Sequence, residues 1–179
     1  MVEEEDCIKD ISGNMKKSNK KIRNATICRN SNITFKSVLE KSIYNTLLQQ
    51  GFEPQYEPKT FTLWDGFTPI TPFYDKETDK QNQKRVELLG KKVSKILVKK
   101  EGKVIGIRYK PDFYFKYNDL NVYIEAKGIE NDVFYIKKKM FIKYLDDRYL
   151  ESGEKSIYFE VYTKKQLLQA VEIIKEYGQ

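Results

Sequence analysis

Apolar residues recur every four positions at Phe35, Leu39, Ile43 and Leu47, with Tyr44 and Leu48 beside them and Gly51 closing the run. That period predicts an amphipathic helix over 35–50, with order beginning at Thr34. Short strands are expected around 52–56 and 59–63. The stretch 64–84 carries Pro69, Pro72 and many polar residues, and is read as a long loop. Alternation returns in 93–99 and 104–109, read as a hairpin turning at Glu101-Gly102, and again in 113–117 and 121–127 around Asn118-Asp119. A second helix is expected over 132–150. Ile157, Phe159 and Val161 mark a strand over 156–162. Thr163 and Gln166 form a capping-box pattern before the stripe Leu167, Ala170, Val171 and Ile174 of a last helix. Helix, strands, helix, strand, helix is an α/β order: a central mixed β-sheet flanked by α-helices. The arm 1–30 lacks either period and is read as flexible and basic, with 31–179 as a single domain.

Two residues after Pro111 the second hairpin begins, and its register has chemical consequences. If Asn118-Asp119 is a two-residue turn, Tyr117 pairs with Leu120 and Asp112 falls opposite Glu125. Such pairs share a face, with Cβ atoms ~5 Å apart. Lys127 joins them by alternation, as do Tyr114 and Tyr123. The opposite face collects Phe113, Phe115, Val122, Ile124 and Ala126 as a core surface. Two adjacent carboxylates repel, and a divalent cation relieves the conflict; Mg²⁺ takes one or two carboxylates plus waters and phosphate oxygens. The Ala126 carbonyl is a further hard oxygen within reach of such an ion. The other open reading is an ordinary cross-strand pairing on a solvated face, with Lys127 and Lys110 neutralising the acids.

Composition narrows the chemistry. The chain has no histidine, so triads, imidazole bases and zinc peptidase helices are excluded. Two cysteines without histidine do not complete a structural zinc site. Reaction chemistry must run on carboxylates and lysines, with or without a bound cation. The net charge of +7, gathered in lysine clusters, suits a polyanion such as DNA as well as mere solubility. The acidic start is not read as a signal peptide, and no window approaches the ~18 apolar residues of a spanning helix. A cytoplasmic protein without a membrane is expected. Glu40 lies inside the apolar arc of the first helix, aimed at the carboxylate pair or paired with a lysine at the core rim. Lys137 likewise lies in an apolar arc, reaching toward the site or a phosphate, or snorkelling to water.

Pro111-Asp112, then Glu125-Ala126-Lys127 after a hairpin-sized gap, preceded by a helix with Glu40, resembles the PD-(D/E)XK nuclease superfamily. The match spans roughly 34–162. SerValLeuGlu on the helix, TyrLysProAspPheTyrPhe on the strand and IleGluAlaLysGly before a Lys-rich helix are most similar to phage endonucleases of the endonuclease I type, which cut four-way junctions. The resemblance implies a restriction-endonuclease-like core, a homodimer and Mg²⁺-dependent phosphodiester hydrolysis of branched DNA, with Mn²⁺ able to substitute. It implies catalytic roles for Glu40, Asp112, Glu125 and Lys127. Asp112, Glu125 and the Ala126 carbonyl would hold metal, with Glu40 joining directly or through water. Arg108, Lys110, Lys137, Lys138 and Lys139 are candidates for phosphate contact. Other members of the superfamily nick duplexes or cut them sequence-specifically within larger complexes, and a silent nucleic-acid-binding module is the non-enzymatic alternative. The 64–84 segment has no counterpart in the pattern.

Overall fold

The computed structural model describes residues 28–30, 33–128 and 132–178. Most of the arm read over 1–30 lies outside them; its last residues form strand β1 (Cys28–Asn30), antiparallel to β2 (Ile33–Phe35), so order begins before Thr34. The described chain divides into two compact units. One comprises the described residues up to Phe61 with those from Tyr109 onward; the other is Thr62–Arg108.

Helix α1 (Val38–Gln49) of the first unit starts later than its apolar period suggested. Ser37 caps it, its hydroxyl accepting the Glu40 amide, so Phe35 ends β2 and reaches the core from a strand. A four-stranded sheet follows, ordered β10 (Ser156–Val161), β9 (Leu120–Ala126), β8 (Phe113–Tyr117), β3 (Gln55–Tyr56). β10 runs parallel to β9, while β8 is antiparallel to both β9 and β3, so the sheet is mixed. The register places Tyr117 opposite Leu120 and Phe113 opposite Ile124, as the two-residue turn predicts. Asn118 supplies the left-handed conformation there, with φ of 51°.

Alternation gives the sheet two faces, and both are covered. Phe113, Phe115, Val122, Ile124 and Val161 pack with Ile43 and Leu47 of α1 and with Leu167, Val171 and Ile174 of α4 (Lys164–Tyr177). Thr163 and Gln166 form the capping box of α4. On the other face, α3 (Asp132–Ser152) inserts Phe141 against Tyr109, Tyr123 and Tyr158 at centroid distances of 4.7, 5.3 and 5.8 Å. The face read from sequence as polar is therefore roofed by a helix.

The second unit corrects two expectations. The segment 64–84, read as loop, contains strand β5 (Phe73–Lys76) and the start of helix α2 (Asp79–Leu89). Helix α2 buries no residue and so has no apolar stripe to detect; Thr78 and Gln81 cap it, and Gly90 at φ 65° ends it. The hairpin expected from 93–99 and 104–109 does not form. Strand β6 (Leu97–Lys100) pairs antiparallel with β5, and β7 (Ile107–Tyr109) pairs with β4 (Phe61–Trp64). β5 comes from the segment read as loop, whereas β4 overlaps the strand read over 59–63; in both cases local alternation does not report the pairing. Within this unit Arg85 grips the buried Glu77 with two hydrogen bonds of 3.0 and 2.8 Å.

Candidate active site

Asp112 stands one position before β8 and Glu125 one before the end of β9, which continues the observed register to an opposed pair. Glu125 is 6% exposed. Asp112 Oδ2 accepts the Ala126 amide at 2.8 Å, while Oδ1 has no donor among the described residues. Burial, reinforced by the charge of Glu125, raises the Asp112 carboxyl well above the ordinary carboxylate range; Glu40 adds to the effect, and the Ala126 amide and Lys127 oppose it.

Glu125 is held from two sides. Tyr109 donates to Oε2 at 2.6 Å, and Lys127 Nζ lies 2.7 Å from Oε1. Burial, reinforced by the Glu125 charge, pushes the Tyr109 hydroxyl far above its usual range, so it remains a donor. The Lys127 ammonium also sits 3.8 Å from the centre of the Phe134 ring on α3. Its position is thus fixed by a strand carboxylate and a helix aromatic together.

Glu40 is buried at the N-terminus of α1, where a carboxylate is favoured by the helix dipole. Its oxygens accept the Lys36 amide at 2.9 Å and the Ser37 hydroxyl at 3.0 Å, and the Tyr56 hydroxyl as well. These contacts explain a carboxylate in the apolar arc without an ion, yet its charge is near enough to act on Asp112. Among the described residues, no group of three or more carboxylates or thiols is gathered as a metal cage. The donor set suited to a hard divalent cation is the pair Asp112 and Glu125, with one Asp112 oxygen available.

The expected phosphate-contacting cations are dispersed. Lys138 pairs with Glu160 and reaches the rings of Phe134 and Tyr135. Lys137 is half-buried and Lys139 exposed on α3. Lys110 pairs with Glu57 at 3.1 Å and not with the acids of the site, contrary to its suggested neutralising role. Arg108 is exposed and belongs to the second unit.

Sequence reading missed three residues around the pair. Glu57 donates its amide to the Asp112 carbonyl at 2.8 Å, adopts φ of 44°, and binds both Lys36 and Lys110. Burial opposes its ionisation, but those two lysines hold its carboxyl below the ordinary value. Glu160 lies beside Glu125 through the parallel β9–β10 register. Tyr109 was counted only as a strand residue. A non-glycine in the left-handed region and a parallel neighbour have no local signature. The Ser37-x-x-Glu40 capping pattern did, and would have explained Glu40.

No family model, curated protein or solved structure matches the chain.

Proposed function

We propose that this chain is a divalent-cation-dependent DNA endonuclease that hydrolyses phosphodiester bonds, selective for branched DNA such as four-way junctions and acting as a homodimer. The observation that carries the reading is the opposed pair of half-buried Asp112 and buried Glu125, with Lys127 fixed against it. A restriction-endonuclease-like core is the fold interpretation that accompanies it: a mixed sheet, α1 and α4 on one face, α3 on the other. The sequence resemblance to PD-(D/E)XK nucleases and the net charge of +7 point the same way.

Asp112 and Glu125 would hold Mg²⁺ or Mn²⁺, which when bound supplies Lewis acidity toward a phosphoryl oxygen. Glu40 acts on Asp112 electrostatically and would join the ion only through a water. Lys127 donates hydrogen bonds; its ammonium orients a nucleophilic water and stabilises charge growing on the phosphate oxygens. Tyr109 fixes the Glu125 rotamer through its hydroxyl. Lys137 and Lys139 on α3 are the first-unit cations offered to the backbone.

Cleavage of a labelled four-way junction beside its component duplex, with and without Mg²⁺, tests the substrate. Junction-selective, cation-dependent cutting is expected. Equal cutting of both substrates moves the reading to a general or sequence-directed nicking nuclease. The Ala126 amide and Lys127 already satisfy much of the carboxylate pair, which favours a silent DNA-binding module as the second reading; tight binding without turnover would select it.

A further inference from the structure

Next to the carboxylate pair, on the same sheet face, the first unit contains a cavity of about 390 Å³. Tyr114, Tyr123, Tyr144 and Phe61 wall it, with Lys59 and Arg148 among its other lining residues. Tyr114 lies two residues from Asp112 and Tyr123 two residues from Glu125, so the near wall stands ~7 Å along the strands from the acids. The rings support one another: Tyr114 and Tyr123 are 5.2 Å apart, Phe61 and Tyr144 5.4 Å.

Two features mark this cavity as a binding site. Tyr123 is 5% exposed, yet its hydroxyl has no hydrogen-bond partner among the described residues. That oxygen is not sealed off by its neighbours, and Tyr123 lines the cavity. A polar atom in such a place calls for a polar guest. The walls, in contrast, are mainly aromatic rings, and the volume lies in the range of small-ligand pockets. At the edge, Arg148 is paired with Glu154 at 3.1 Å, offering a donor and an acceptor side by side.

We infer that this cavity receives one unstacked nucleobase of the DNA strand whose phosphate lies at Asp112 and Glu125. The inference rests on the nuclease reading of the neighbouring site and deepens it: the substrate must present a base free to leave its stack, as bases at a branch point are. Stacking on Tyr144 holds the ring, Phe61, tilted 63° to Tyr144, borders its edge, the Tyr123 hydroxyl meets a base-edge acceptor or donor, and Lys59 is a lining cation for a backbone phosphate.

A thermodynamic cycle between protein and DNA tests this. Binding of a labelled four-way junction is measured without divalent cation, for the intact DNA and for junctions lacking one base at each position around the branch. With wild type, loss of the base at one position should weaken binding about tenfold. Tyr144→Ala should weaken binding of the intact junction by a similar factor and make that same base removal inconsequential, whereas Tyr144→Phe should behave as wild type. Tyr123→Phe, which keeps the ring and its volume, should reduce the same coupling even if Tyr144→Ala fails to fold. Losses that multiply independently at every position would overturn the pocket while leaving the nuclease reading intact. A wild-type protein that binds no junction would overturn both, and coupling without cleavage under Mg²⁺ would uphold the pocket and sink the nuclease.

Discussion

At Asp112, one oxygen accepts a backbone amide, the other has no donor among the described residues, and the charge of Glu125 stands across the strand pair. Its folded-state pKa is raised, so the folded protein keeps a proton that the unfolded chain releases above the ordinary value of 3.8. Stability without a divalent cation should therefore fall as pH climbs from there toward the raised value. Asp112→Asn should remove that slope, melting a few degrees above wild type at pH 7.5 and level with it near pH 4; thermal scans across this range check the sign. A cation competes with the same proton, so its affinity should rise with pH. Lys127 poses the complementary case. Removing it leaves Glu125 buried beside a tyrosine alone, and Lys127→Ala should cost about 3 kcal/mol in urea unfolding. Glu125→Gln combined with Lys127→Met should recover much of that loss, because no unpaired charge remains.

Elements carry their own signatures to different degrees. The β8–β9 hairpin was legible because the Asn118-Asp119 turn sets the register and alternation does the rest; from it follow Asp112, Glu125 and Lys127 on one face. Helix α4 was legible through its cap and stripe. Helix α2 was not, because it buries nothing, and β5–β6 pairing was not, because the two strands are separated by that helix. The roofing of the carboxylate face by α3 and the placement of Glu160 beside Glu125 depend on the parallel β9–β10 crossover, which no local pattern reports. At the start of α1, Ser37→Ala should cost about 1 kcal/mol in unfolding free energy by removing the cap, measurable by denaturant titration. In the second unit, a Cβ on Gly106 would lie 2.5 Å from the Trp64 carbonyl oxygen and 2.8 Å from the Gly66 nitrogen, a backbone approach only glycine permits.

Over the whole molecule, Glu77 of the second unit and Asp112 of the first should respond to pH with opposite signs. Arg85 beside Glu77 is the main influence on its carboxyl, holding it down to about 2. That pair stabilises the second unit above the ordinary value of 4.5, and the contribution should vanish as pH falls toward 2, whereas protonation favours Asp112 in the first unit. Glu77→Gln should accordingly speed amide exchange in Phe73–Lys76 and Leu97–Lys100 and leave Phe113–Tyr117 and Leu120–Ala126 unchanged; equal loosening of both units would contradict this. No helix among the described residues is long and apolar enough to cross a membrane. The proposed chemistry joins these scales at one face of the first unit's sheet. Its most direct test is single-turnover cleavage of a labelled four-way junction with Mg²⁺ by wild type, Asp112→Asn and Lys127→Met, each confirmed folded by its melting curve. Cutting by wild type that falls at least a hundredfold in both variants is the predicted result. Undiminished cutting by folded Asp112→Asn, or none by wild type with Mg²⁺ or Mn²⁺, would contradict it.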